Sequence, residues 1–182
     1  MAVNRPSLRQ TSLRYFNVVG SGPPELADHS PHNLFPKVFR AISAGESPLV
    51  FGDDYPTPDG SCIRDYIHVV DVAEAHVRAA QQLSGESPVA PAYNIGRGVG
   101  SSVFEVLDAI RAATGIDFDH EVRERRAGDP ARIVGRTEQI ERDFNWQARF
   151  DLEAMATSAW TAWQKQLELY GGPPPGGARA GL

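Results

Sequence analysis

The chain has 182 residues, 41% hydrophobic and 23% charged, which is enough to bury one globular core. A formal net charge of -5 opposes nucleic-acid and anionic-membrane partners, because both need a basic surface field. One cysteine, Cys62, excludes an intrachain disulfide and a thiolate metal site, and no apolar run suits a secretion signal or a membrane span, so the expected compartment is the cytoplasm.

In chain order, residues 1–11 read as a polar leader. Ser12 to Gly20 is rich in β-branched and aromatic residues and stops at Gly20, Gly22, Pro23 and Pro24, the pattern of a strand meeting a loop. From Asn33 to Ala44, Leu34, Val38 and Ile42 recur every four residues beside Phe35 and Phe39, and Gly45 follows, which predicts an amphipathic helix. Pro48 to Phe51 predicts a short strand and 52–60 a long, turn-rich loop, a natural place for ligand contacts. Cys62 to Val70 mixes polar and apolar residues, after which Asp71 and Glu74 have capping-box spacing and open a helix through Leu83. Ala92 to Ile95 is a predicted strand. A glycine-rich turn follows, then a helix with Ser102 and Glu105 as its capping box and Gly115 as its end. An alternating stretch, Phe118 to Val122, leads into the arginine-rich 123–130. Helical patterns follow over Thr137 to Phe144 and Asp151 to Leu167, the second with Leu152, Met155, Ala159, Trp160 and Trp163 on one face. Residues 171–182, mostly Gly and Pro, are expected to be a disordered tail.

Two constellations could carry chemistry. Gly96-Arg-Gly98-Val-Gly100-Ser101 follows a strand and opens a helix, the setting of a dinucleotide fingerprint, but serine holds the third glycine's place. The reading adopted is a tight turn that needs small residues. Arg64, Arg123, Arg125 and Arg126 stand in or beside loops; a guanidinium can hold phosphate by two parallel bonds, and it can equally pair with Asp65 or Glu124. The five histidines include no His-x-x-x-His pair, so no metal site is expected. No Gly-x-Ser-x-Gly elbow is present, and Cys62 reads as a small hydrophobe.

Six segments together resemble the UDP-glucose 4-epimerases, extended short-chain dehydrogenase/reductases of the NAD-dependent epimerase/dehydratase family. They are Leu13-Arg-Tyr-Phe-Asn17, His32-Asn-Leu34, Phe51 to Gly60, Arg64-Asp-Tyr-Ile-His-Val69, Tyr93-Asn-Ile-Gly96 and Arg126-Ala-Gly-Asp129. The resemblance runs from Ser12 to Trp163 and implies an α/β fold: a carboxyl-terminal substrate-binding lobe over 12–170, with 12–20 as a remnant of a parallel Rossmann-like sheet. It implies that Phe16 lies against the nicotinamide cofactor. Asn17, Asn33, Leu34, Arg64 and Arg126 would approach the substrate diphosphate, Leu49, Val50 and Phe51 would pass the uracil ring, and Asp129 would accept bonds from ribose hydroxyls. Tyr66 and His68 are left as structural. Beyond Asp129 the register is open by one residue, and Arg132 stands where some relatives have a tyrosine.

In the resembled family a Tyr-x-x-x-Lys tyrosine takes the sugar 4-hydroxyl proton while hydride passes to NAD. None of the five tyrosines here has lysine four positions on, and no Gly-x-x-Gly-x-x-Gly turn is present, so no catalytic residue is assigned. The resemblance therefore implies UDP-glucose and UDP-galactose as ligands, NAD as the cofactor of full-length members but not held tightly by this chain, and affinity without turnover. It implies as partner a second copy or a separate chain supplying the amino-terminal half. The rivals are a UDP-sugar-binding module or inactive remnant, and another nucleotide-sugar epimerase or decarboxylase.

Overall fold

The structure is a computed structural model that describes residues 8–171. It is α/β, with a central strand that separates two cores. The expected strand at Ser12 to Gly20 is two strands, β1 (Ser12–Tyr15) and β2 (Asn17–Val19), because the chain changes partner at Phe16. β1 pairs in parallel with β5 (Ala92–Ile95), whereas β2 pairs in parallel with β4 (Ile63–His68). The mixed stretch that periodicity left unassigned is thus the central strand. Both of its faces are covered, and five of its six residues are buried without a regular polar–apolar alternation.

β6 (Gly100–Ser102) runs antiparallel and β8 (Arg132–Ile133) parallel to the first half of β4. β3 (Leu49–Phe51) pairs in parallel with β7 (Glu121–Arg123) in a separate two-stranded sheet. Tyr66 belongs to one core, with α1 (Leu34–Ser43), α3 (Val103–Thr114) and α5 (Leu152–Tyr170), where Phe35, Phe39, Leu107, Ile110, Met155 and Trp163 are buried. Ile67, its neighbour in sequence, faces the other core, with α2 (Val69–Ser84) and α4 (Glu138–Phe144), where Ala75, Tyr93, Ile95 and Ile140 are buried.

The capping box of α3 forms as expected: Ser102 Oγ accepts from Glu105 N at 3.0 Å and Glu105 Oε2 accepts from Ser102 N at 2.7 Å. The expected box at Asp71 and Glu74 does not form. α2 begins at Val69, and His68 is its cap, with Nδ1 accepting from Val70 N at 3.1 Å. Asp71 is fully buried and its Oδ2 instead accepts from Arg149 N and Phe150 N at 3.0 and 3.1 Å, which ties α2 to the segment before α5. An acid three residues before Glu74 satisfies the local rule, but long-range backbone donors take its oxygen. α5 starts after its Asp151 cap, whose Oδ1 accepts from Ala154 N at 2.8 Å, and runs three residues beyond the expected Leu167. Of the expected leader and tail, residues 1–7 and 172–182 lie outside the described residues. In the described part of the leader, Thr11 Oγ1 donates to Ala90 O at 2.8 Å.

Candidate functional site

β4 organises the site through the alternation of its side chains. Arg64, Tyr66 and His68 share one face, and Ile63, Asp65 and Ile67 share the other. The parallel register places Asn17 beside Tyr66, so Asn17 and Arg64 lie on the same face. Phe16, one residue earlier, falls on the opposite face, where its ring packs so closely over Gly135 that a Cβ there would overlap it. Phe16 and Asn17 are adjacent in sequence but separated by the sheet.

The start of α1 meets the face that carries Arg64. Phe35 sits edge-to-face on Tyr66, with ring centroids 6.0 Å apart, which sets the start of α1 against the face of the sheet that also bears Asn17. Asn33 occupies the cap position without capping; its Nδ2 donates to Asp28 Oδ2 at 2.7 Å. The amide nitrogens of the first turn therefore take no bond from the Asn33 side chain. On the next element Val50 enters the core beside Phe35 and Val38, which leaves Leu49 and Phe51 pointing away from that core, Leu49 exposed.

The loop 124–131 contributes Arg126 and Asp129. Arg64 Nη2 bonds Asp129 Oδ1 while its Nη1 donates to Ile63 O at 2.8 Å. The Arg64 side chain is 11% exposed, so this ion pair is largely shielded from water, unlike an ordinary surface pair. Asp129 N donates to Arg126 O at 3.2 Å in a tight turn, and the Arg126 guanidinium lies 4.1 Å from the centroid of the Phe51 ring. Beneath them burial pushes the Cys62 thiol pKa up. Arg64 pulls it down, Asp129 pushes it up and Arg126 pulls it down again, which puts the thiol within the field of all three groups. Cys62 is buried and protonated, as expected of a small hydrophobe. Tyr55, also buried, has its hydroxyl pKa raised, first by burial and then by Asp129 and Cys62. Its Oη has no hydrogen-bond partner among the described residues.

The structure thus links Arg64, Asp129, Arg126 and Phe51 by direct contacts, sets Asn17 on the same face of the sheet as Arg64 and leaves Phe16 behind the sheet. Arg123 and Arg125 are drawn off: Arg123 pairs with Glu121 at 2.8 Å, and Arg125 pairs with Asp54 over the Tyr55 ring. Arg132 is opposite Ile63 and Ile133 is opposite Arg64, so Ile133, not Arg132, shares the site's face. Sequence reasoning missed Asp65, the acid next to the key arginine, whose role is plain only in three dimensions.

Asp65 decides the fate of the glycine-rich turn. Its carboxylate is fully buried and accepts from Arg97 N at 2.9 Å, Gly98 N at 3.1 Å and Gly135 N at 3.1 Å. A Cβ at Gly96 would run into the same carboxylate. Backbone donors that would face a pyrophosphate are already committed to an internal anion, which would also repel a second one. This turn does not fit a dinucleotide, and no step is derived through NAD. No three His, Cys, Asp or Glu side chains cluster as a metal site among the described residues. None of the described helices is long and apolar enough to cross a membrane.

The α/β fold with parallel strand pairing is shared with solved epimerase structures. The model of the NAD dependent epimerase/dehydratase family matches residues 2–96, and the chain belongs to that family. Within it the chain is a relative of the UDP-glucose 4-epimerases. It is 41% identical over 164 residues to the enzyme of Halalkalibacterium halodurans, covering 87% of this chain and 48% of that one. Against the Bacillus subtilis enzyme it is 41% identical over 157 residues, 84% of this chain and 46% of the relative. Among solved structures, UDP-glucose-4-epimerase from Stenotrophomonas maltophila with bound NAD and formylated UDP-arabinopyranose superimposes with a TM-score of 0.83 at 37% identity. It covers 92% of this chain and 51% of the other. The Bifidobacterium longum enzyme in complex with NAD+ and UDP gives a TM-score of 0.78 at 34% identity, covering 90% and 50%. The chain spans about half the length of the curated relatives it matches.

Proposed function

We propose that this chain is the UDP-sugar-gripping, carboxyl-terminal portion of a UDP-glucose 4-epimerase, and that by itself it binds UDP-glucose or UDP-galactose without turning them over. The observation that carries this reading is a set of contacts: Arg64 bonded to Asp129, Arg126 over the Phe51 ring, and the start of α1 against the sheet face that bears Asn17. Two guanidinium groups and helix-start amides suit a diphosphate, and the Asp129 carboxylate can accept hydrogen bonds from ribose hydroxyls. Holding UDP at a distance from the sugar carbon lets remote binding energy position the sugar for reaction elsewhere.

Turnover is not expected because the chain carries no Tyr-x-x-x-Lys and its one glycine-rich strand-to-helix turn is committed to Asp65. The partner this reading calls for is a second polypeptide or a second copy that completes the sheet. In support, β1 is hydrogen-bonded along one side only among the described residues, to β5. Such an edge is a template for another strand.

Calorimetry with UDP, UDP-glucose and UDP-galactose tests the reading, together with a coupled assay for UDP-galactose conversion in the presence of NAD. Binding of all three without turnover is expected, and Arg64→Gln and Arg126→Gln should each weaken UDP about 10–100-fold, as loss of a charge-assisted phosphate contact does. No heat with millimolar UDP on folded protein, or robust turnover by the purified chain, would sink it.

A further inference from the structure

Arg125 and Arg126 are adjacent in sequence and lie on two different rings, one at the end of β3 and one in the loop that follows it. The Arg126 guanidinium stands 4.1 Å from the centroid of the Phe51 ring, and that of Arg125 stands 4.4 Å from the centroid of the Tyr55 ring. Gly52 lies between the two rings in the chain. Its N–H donates to Arg123 O at 2.9 Å, which extends the β3–β7 pairing toward the base of both arginines. With a φ of +89°, Gly52 also leaves room for the stack: a Cβ there would lie 2.6 Å from Arg125 Cγ and 2.7 Å from Tyr55 Cε2.

Arg125 is anchored twice. Besides resting on the Tyr55 ring, its guanidinium bonds the carboxylate and the main-chain carbonyl of Asp54. The platform beneath it is tied down in turn. Tyr55 N donates to Gly60 O at 2.7 Å, and Thr57 Oγ1 donates to Ser61 O at 2.7 Å. Ser61 Oγ accepts from Val103 N, at the start of α3, at 3.1 Å. Arg64, Arg123 and Arg125 each bond a carboxylate, whereas Arg126 bonds none among the described residues. Its backbone lies between the anchored Arg125 and the turn in which Asp129 N donates to Arg126 O at 3.2 Å.

We propose that Arg125 is a positioning residue for the diphosphate grip: seated on Tyr55 and bonded to Asp54, it fixes the backbone from which Arg126 reaches a phosphate. This rests on the reading of the site as a UDP grip. A side chain whose root is already fixed loses less freedom when it closes on a ligand, so the anchor raises affinity without touching the ligand. The Arg125–Asp54 pair suits that task better than a stability role. Its side chains are 39% and 71% exposed, and exposed ion pairs contribute little to folding.

Calorimetry with UDP on a double-mutant cycle tests the proposal. Arg125→Gln should weaken UDP about tenfold in the parent, and less than about twofold in an Arg126→Gln background, because the effect passes through Arg126. Its melting temperature should stay within about 4 °C of the parent; a larger fall would mean that Arg125 holds the fold rather than the grip, and would overturn the inference. Tyr55→Leu, which removes the ring, should weaken UDP similarly, and Tyr55→Phe, which keeps it, should recover that loss. If UDP binds and Arg126→Gln weakens it, yet Arg125→Gln binds as tightly as the parent, the inference about Arg125 is wrong and the site reading survives. An equal loss in both backgrounds also overturns it, since Arg125 would then act on its own. If the unaltered chain gives no heat with millimolar UDP, the site reading and this inference fall together.

Discussion

Replacing Asp65 by Asn is the most direct probe of how this fold holds its site. In the folded chain Oδ1 accepts from Arg97 N, and Oδ2 accepts from both Gly98 N and Gly135 N. An asparagine turned so that its carbonyl takes the place of Oδ2 keeps two of these bonds and points its NH2 at the Arg97 N–H. One charge-assisted bond, about 1.5–3 kcal/mol, is lost, and the two survivors fall to the neutral range of about 0.5–1.5 kcal/mol each. Part of this is offset because a neutral amide costs less to bury than a carboxylate. The net loss should be about 2–4 kcal/mol, which in a chain of this size lowers the melting temperature by roughly 5–15 °C. Asp65→Ala removes all three acceptors and should cost a large fraction of a typical total stability of about 5–15 kcal/mol. Thermal and urea melts of Asp65→Asn measure the effect. UDP affinity of the folded fraction, carried by the opposite face of β4, should be unchanged. A shift under about 1 kcal/mol would show that the turn does not depend on this carboxylate, and would reopen it as an anion cradle.

Two further outcomes follow from buried groups near the site. Burial lowers the His68 pKa although Asp71 raises it, and Nδ1 accepts from Val70 N while Nε2 lies 2.9 Å from Ser158 Oγ. Protonation would place a second proton against the Val70 N–H. A histidine with a depressed folded pKa leaves stability intact above its unfolded value of about 6.5 and erodes it as pH falls below that. Urea midpoints should therefore drop as pH falls below about 6.5, and His68→Asn, which keeps a capping side chain, should flatten that slope; stability that rises on acidification would contradict it. Tyr55 buries a hydroxyl with no partner among the described residues, so Tyr55→Phe should leave the melting temperature unchanged or raise it by the equivalent of about 1 kcal/mol, and a clear fall would mean that the hydroxyl is bonded.

Much of this protein was legible in local patterns. The helix at Leu34–Ser43 follows from apolar residues every four positions, and the α3 start follows from Ser102 and Glu105. Both depend on neighbours within one or two turns, which a sequence displays directly. The central strand was not legible. With helices on both faces, β4 buries Asp65 and His68 alongside Ile67, so neither alternation nor an apolar run marks it. The same applies to Asp71, whose spacing to Glu74 satisfies a capping rule, while donors 78 and 79 residues away claim its oxygen.

For the site, sequence alone determined the residue types and their order: two arginines, two asparagines and an aspartate in segments that resemble an epimerase. Only the tertiary structure decided which of them meet. Arg64 and Asp129 are 65 residues apart and bonded, whereas Phe16 and Asn17 are neighbours on opposite faces of a sheet. The physical reason is that strand pairing sets the face of every side chain with a period of two. Register, which long-range hydrogen bonds and core packing choose, therefore determines whether a charged group reaches the ligand side or is buried behind it.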